Sequence, residues 1–210
     1  MRKLVLRLGL PLAAVMVLAG CATTSDPSST RIRDRGTFAQ TGLDARLSPL
    51  MRQQEVVADW QTDYCLDDPL TTHDWDCFAS RNIAVHTTDL PVTAEEIDTE
   101  LTRLGCHPEG DPTTMRLVTM LDNHKAATPH ELPEVRFRCG EDTIYIQPSD
   151  RTDSDLSVLQ RPTAWPQEAT GGPDSRIMAG GVVPSEQAER LTHTDGTLLL
   201  VSAVRNYHSD

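Results

Sequence analysis

Seven carboxylates stand between Gln53 and Ser80 (Glu55, Asp59, Asp63, Asp67, Asp68, Asp74 and Asp76) with no Lys or Arg among them. Carboxylate oxygens hold calcium when several converge on a tight loop. Closing the chain between Cys65 and Cys77 would gather Asp67, Asp68, Asp74 and Asp76. The segment lacks the Asp-x-Asp-x-Asp-Gly pattern of a calcium loop, so a solvated acidic surface is the plainer reading and a cation-binding sensor or carrier the alternative. Trp60, Tyr64, Trp75 and Phe78 interleave with these acids. Flat rings beside carboxylates suit a carbohydrate or a cationic peptide, and equally a small core around a disulfide. Further along, Arg136 and Arg138 alternate with apolar residues, so two guanidiniums share one side of a strand. They would clamp an anion or pair with nearby acids.

Motifs for covalent or cofactor chemistry do not occur in the sequence. There is no Gly-x-Ser-x-Gly, Ser-x-x-Lys, His-Glu-x-x-His, Gly-x-Gly-x-x-Gly or phosphate loop. A metal site on Cys65, His73 and Cys77 is disfavoured, because zinc-binding cysteine pairs are two to four residues apart. No catalytic residue, metal or cofactor is therefore expected. A carboxylate-based hydrolase acting on glycans stays open as an alternative, since paired acids leave no local signature. The 31 acidic against 19 basic side chains give a formal charge of −12, which argues against nucleic acid as a partner, because phosphate-backbone affinity needs clustered cations.

These groups need elements to hold them. The clearest is a helix over 94–104, with Thr93 and Glu96 as a capping box, Val92 and Ile97 as a hydrophobic staple, Ile97, Leu101 and Leu104 as its apolar face, and Gly105 as its stop. A second helix is expected from Ser48-Pro49 to about Trp60. Strand patterns fall at Ile83–His86, Leu117–Leu121, Val135–Cys139, Thr143–Gln147 and Leu198–Val204, with Gly140-Glu141-Asp142 turning a hairpin. The order suggests an α+β domain, a small, largely antiparallel sheet packed by one or two helices. Four prolines and Gly171-Gly172 between 148 and 176 read as a disordered loop.

Residues 1–20 read as an export signal. Arg2, Lys3 and Arg7 precede the apolar run Leu8–Leu18, which is too short to span a bilayer. The run ends in Leu18-Ala19-Gly20-Cys21, which resembles the lipobox of bacterial lipoproteins. The resemblance implies cleavage before Cys21, acyl chains such as palmitate on its sulfur and amine, and a cell-membrane protein facing outside the cytoplasm. Two or more chains suffice for a stable anchor. Without residues 1–20 the remaining 190 residues carry 16 basic and 31 acidic side chains, a formal charge of −15. They would be repelled from anionic headgroups, leaving attachment to the acyl chains.

Four cysteines remain, and an even number in an exported chain reads as disulfides. Cys139 shares a strand side with Val135 and Phe137, and Cys106 follows the capped helix, so Cys106–Cys139 and Cys65–Cys77 are the expected pairs. The whole divides into a signal peptide (1–20), a lipidated cysteine and flexible tether (21–36), and a single disulfide-braced domain (37–210). The function expected is a non-catalytic binding or accessory domain of the cell envelope. It would meet an envelope protein or cell-wall glycan through a surface drawn from Trp60, Tyr64, Trp75, Asp67, Asp68, Asp74, Asp76, Arg136 and Arg138.

Overall fold

A computed structural model describes residues 26–67, 75–109, 135–149, 175–180, 183–193 and 197–209. The elements in chain order are α1 (Thr30–Gln53), β1 (Val56–Asp67), β2 (Trp75–Thr87), α2 (Leu90–Arg103), β3 (His107–Pro108), β4 (Val135–Cys139), β5 (Asp142–Ser149), β6 (Ser175–Gly180), α3 (Ser185–His193) and β7 (Thr197–His208). Every strand pair is antiparallel, and the strands lie in the order β3-β4-β5-β7-β2-β1-β6. The α+β class and the antiparallel sheet are as the sequence predicts. The signal and lipobox, Leu117–Leu121 and most of the proline-rich stretch lie outside the described residues. Pro148 and Ser149 at the start of that stretch belong to β5, and β6 begins at its end.

Helix α1 is longer than expected and begins inside the stretch read as tether. Ser29 caps it by accepting from the Ile32 amide, and Ile32, Gly36, Ala39, Leu43, Leu47 and Leu50 recur every three or four residues as its buried stripe. Ser48 and Pro49 sit in its last turns rather than at a new helix start, and Val56 to Trp60 is strand. The strand hides acids on the side facing α1. Asp59 pairs with Arg81, which also reaches Asp44 of α1 at 2.9 Å, and Asp63 accepts from the Tyr207 hydroxyl. Helix α2 starts one turn before the expected 94. Asp89 accepts from the Val92 amide as N-cap, Thr93 bonds Thr87 at 2.7 Å instead of closing a box, and Val92 is exposed. Its end is as expected. Gly105, at φ +78, lets the Gly105 and Cys106 amides reach the Thr102 and Leu101 carbonyls.

On this inner face the stripe of α1, with Ala94, Ile97 and Leu101 of α2, packs on Ile83 and Val85 of β2, Leu199 and Val201 of β7, Ile144 and Ile146 of β5, and Val135 and Phe137 of β4. Both expected disulfides are present. Cys106–Cys139 joins the end of α2 to β4, and Cys65–Cys77 bridges directly opposed residues of β1 and β2. At the β4–β5 turn the fully buried Asp142 takes Arg205 of β7 at 2.6 Å and Arg46 of α1 at 3.4 Å. Among the described residues no helix is long and apolar enough to cross a membrane.

The approach of α1 to the sheet depends on Gly36. A Cβ there would lie 2.5 Å from Asp63 Oδ2 and 3.2 Å from the Tyr207 hydroxyl. Gly to Ala inside a helix ordinarily gains about 1 kcal/mol, whereas overpacking a fixed contact costs about 1–3 kcal/mol. The carboxylate is short, buried and hydrogen-bonded, so the second effect wins. Gly36→Ala is expected to lower stability by about 1 kcal/mol or more in urea unfolding, and a gain would contradict the packing.

Candidate functional site

The pleat sends alternate side chains of each strand to opposite sides, and directly opposed residues of antiparallel strands share a side. Val135, Phe137 and Cys139 face the inner core, so Arg136 and Arg138 face out. From Arg136 the register runs across the sheet through Tyr145, Ser202 and Asn82 to Trp60. From Arg138 a second row runs through Thr143, Val204 and Ser80 to Thr62. Five strands thus lay two rows across the outer face, polar except at Val204 and the Trp60 ring.

Hydrogen bonds order the middle of the strip. The Ser202 hydroxyl donates to Asn82 Oδ1, and Asn82 Nδ2 donates to the Ser80 hydroxyl at 3.2 Å. All three are buried. At one end Arg136 lies over the Tyr145 ring, 5.3 Å from its centre, and Arg138 pairs with Glu109 at 2.9 Å. Both guanidiniums are exposed and already have protein partners. At the other end the Trp60 indole N–H and the Thr62 hydroxyl are buried with no hydrogen-bond partner among the described residues. A buried donor left unpaired costs about 1–3 kcal/mol.

Apolar residues frame the strip. On one side α3 and Val183 pack Leu191 against Ala58, Trp60, Ala84, Leu198 and Leu200. Gln187 of α3 also accepts from the Asp59 amide at 2.8 Å, satisfying the β1 edge beyond its pairing with β6. On the other side the Tyr64 and Phe78 rings stack with centres 5.4 Å apart. Burial, and next the nearby Tyr145, pushes the Tyr64 phenol well above its usual value, so it stays protonated.

The sequence-predicted surface is therefore divided. Trp60, Tyr64, Arg136 and Arg138 fall on the outer face, where Asp76 also points opposite Leu66. Trp75 lies on the inner face against the cluster of Ile32, Cys65 and Cys77, since Cys77 and Trp75 share a side of β2. Asp67 ends β1, and Asp68, Asp74 and the Cys21 anchor lie outside the described residues. The Cys65–Cys77 bridge occupies both thiols that the disfavoured metal site would have used. Among the described residues no cluster of His, Cys, Asp and Glu could hold a metal ion. Tyr145, Ser202, Asn82, Ser80 and Thr62 were not singled out from the sequence. Small polar residues in strand patterns carry no local signal, and only the strand register reveals the row.

A raised carboxyl affinity for protons can mark a general acid, and Asp63 has one. Burial lifts its pKa above the ordinary carboxylate value, and donation from Tyr207 pulls it partly back. Its carboxylate packs on the inner face beneath Gly36, which makes it a structural group. Because the folded value is raised, its contribution to stability is fully present below the unfolded value of about 3.9 and is lost as pH rises through the folded one. Asp63→Asn removes this titration. Urea midpoints from pH 4 to 7 are expected to show the unsubstituted chain losing stability relative to Asp63→Asn as pH climbs. A difference independent of pH would contradict the assignment.

Comparison with protein-family models, with curated proteins and with solved structures finds no match to this chain.

Proposed function

We propose that this chain is a membrane-anchored extracytoplasmic lipoprotein, a non-catalytic binding or accessory domain of the cell envelope. Acyl chains on Cys21 hold it to the membrane, and the outer face of the sheet receives its partner. The anchor reading rests on Leu18-Ala19-Gly20-Cys21 behind a basic and apolar leader. Two disulfides agree with export, since oxidising compartments are where such bridges persist. The observation that carries the binding face is the pair Arg136 and Arg138, exposed on the outer side of β4 at one end of the strip.

Two exposed guanidiniums suit a partner rich in hydrogen-bond acceptors, and an envelope protein or a cell-wall glycan presents them. Arg136 and Arg138 stand on the solvent side of β4, so exchanging them leaves the inner core intact. The test is retention of the chain on purified cell-wall glycan, together with crosslinking to envelope proteins in cells. The unsubstituted chain is expected to be retained or crosslinked, and Arg136→Glu with Arg138→Glu to lose at least tenfold. Retention unaffected by the exchange, or no partner in either assay, would overturn the assignment of this face.

A further inference from the structure

A cleft of about 630 Å³ opens between α1 and the C-terminal end of β7, with Glu141 of the β4–β5 turn also lining it. Sites for small ligands run from about 300 to 1,000 Å³. Two aromatic rings line it, those of Phe38 and Tyr207. Phe38 is 75% exposed, and it and Val92 are the exposed large hydrophobics among the described residues. The Tyr207 hydroxyl donates to Asp63, which leaves its ring to the cleft. Asp34 and Arg35 precede Phe38 by four and three residues on α1, so the three side chains are neighbours on the helix surface.

The charges around these rings are of both signs. Arg205 is already matched, since its guanidinium donates to Asp142 at 2.6 and 3.1 Å. Asp34 and Glu141 are exposed and make no hydrogen bond or salt bridge among the described residues. Arg35, also exposed, brings one nitrogen to Nδ1 of His208 at 3.4 Å, and a guanidinium has further N–H donors to offer. The cleft thus presents two carboxylates and one guanidinium beside two rings. A ligand with only a positive charge would meet Arg35 as a like charge, and one with only a negative charge would meet Asp34 and Glu141.

We propose that this cleft binds a small zwitterion, an amino acid or short peptide with a free ammonium, a free carboxylate and an apolar side chain. The ammonium goes to Asp34 and Glu141, the carboxylate to Arg35, and the side chain to the rings of Phe38 and Tyr207. Each contact answers a group that the cleft displays, and a molecule bearing both charges is the one that escapes repulsion from either sign. The cleft lies on the α1 side of the sheet, opposite the face that carries Arg136 and Arg138. It depends neither on that face nor on the anchor at Cys21.

The test titrates the purified protein with the dipeptide alanyl-phenylalanine, with its N-acetyl form and with its C-terminal amide, following backbone amide shifts by NMR. Saturable shifts are expected at residues 34–39, 141 and 205–207. Because hydrogen bonds to charged groups are the stronger kind, each blocked form should bind about tenfold more weakly than the dipeptide. Arg35→Gln should weaken the dipeptide about tenfold and leave the amide unchanged. Asp34→Asn with Glu141→Gln should weaken the dipeptide likewise and leave the N-acetyl form unchanged. All three side chains are exposed, and the unchanged binding of the matching blocked form shows each variant to be folded. No saturable shift at these residues, equal affinity for the three forms, or variants that weaken all three alike would overturn the proposal.

Discussion

Replacing Asp142 with alanine is expected to lower stability by about 3 kcal/mol, the low end of the range for breaking a buried ion pair. The Asp142 side chain is completely buried, with Arg205 at 15% and Arg46 at 27% side-chain exposure. One carboxylate thus ties β5 to β7 and to α1. Its bond holds the Arg205 guanidinium more firmly protonated than usual, against the opposing pull of burial. Without it, Arg205 and Arg46 still reach some water, and Arg46 keeps the Leu104 carbonyl at 3.1 Å and the Cys139 carbonyl at 3.4 Å, which is why the loss stays near the lower bound. The control is Arg138→Ala, whose pair with Glu109 is exposed on both sides and should change stability by about 0.5 kcal/mol or less. Urea midpoints compare the two, and equal effects would mean that Asp142 is not the buried tie described.

Loss of the Cys106–Cys139 bridge should be the larger defect still. It closes a separation of 33 residues, against 12 for Cys65–Cys77. Chain-entropy arithmetic gives about 4 kcal/mol for the long closure and about 3 kcal/mol for the short one. Both sulfurs of the long bridge are in the inner core, so paired serines also bury hydroxyls where none are wanted. Beyond the bridge, β3 holds β4 through two residue pairs. Cys106→Ser with Cys139→Ser is therefore expected to lose about 4 kcal/mol or more, and Cys65→Ser with Cys77→Ser less. The reverse order in urea unfolding would contradict the role given to the α2–β4 staple.

The parts legible in the sequence are those where the local pattern and the packing agree. Val135–Cys139 alternates because one side faces the core. Gly140, at φ +69, turns the hairpin, and that alternation fixes which cysteine faces the end of α2. The stretch from Thr30 to Trp60 departs from the expected helix boundaries because its pattern and its packing disagree. The buried stripe of α1 uses Gly36 and Ala39 between Ile32 and Leu43, which lowers its apolar signal amid Arg31, Arg33 and Arg35. On β1 the acids Asp59 and Asp63 turn inward because Arg81 and Tyr207 await them there, so simple apolar alternation is masked. The candidate site was half legible. Arg136 and Arg138 announce themselves by spacing, whereas Asn82, Ser202 and Thr62 join them only through strand pairing distant in sequence.

Mass spectrometry of the intact, unreduced protein extracted from the membranes of a bacterial host tests the central claim most directly. The account predicts a chain that begins at Cys21, carries a diacylglyceryl group and a further acyl chain, and lacks the four hydrogens removed by two disulfides. A chain that retains residues 1–20 with an unmodified Cys21 sulfur would contradict the anchor and the compartment together.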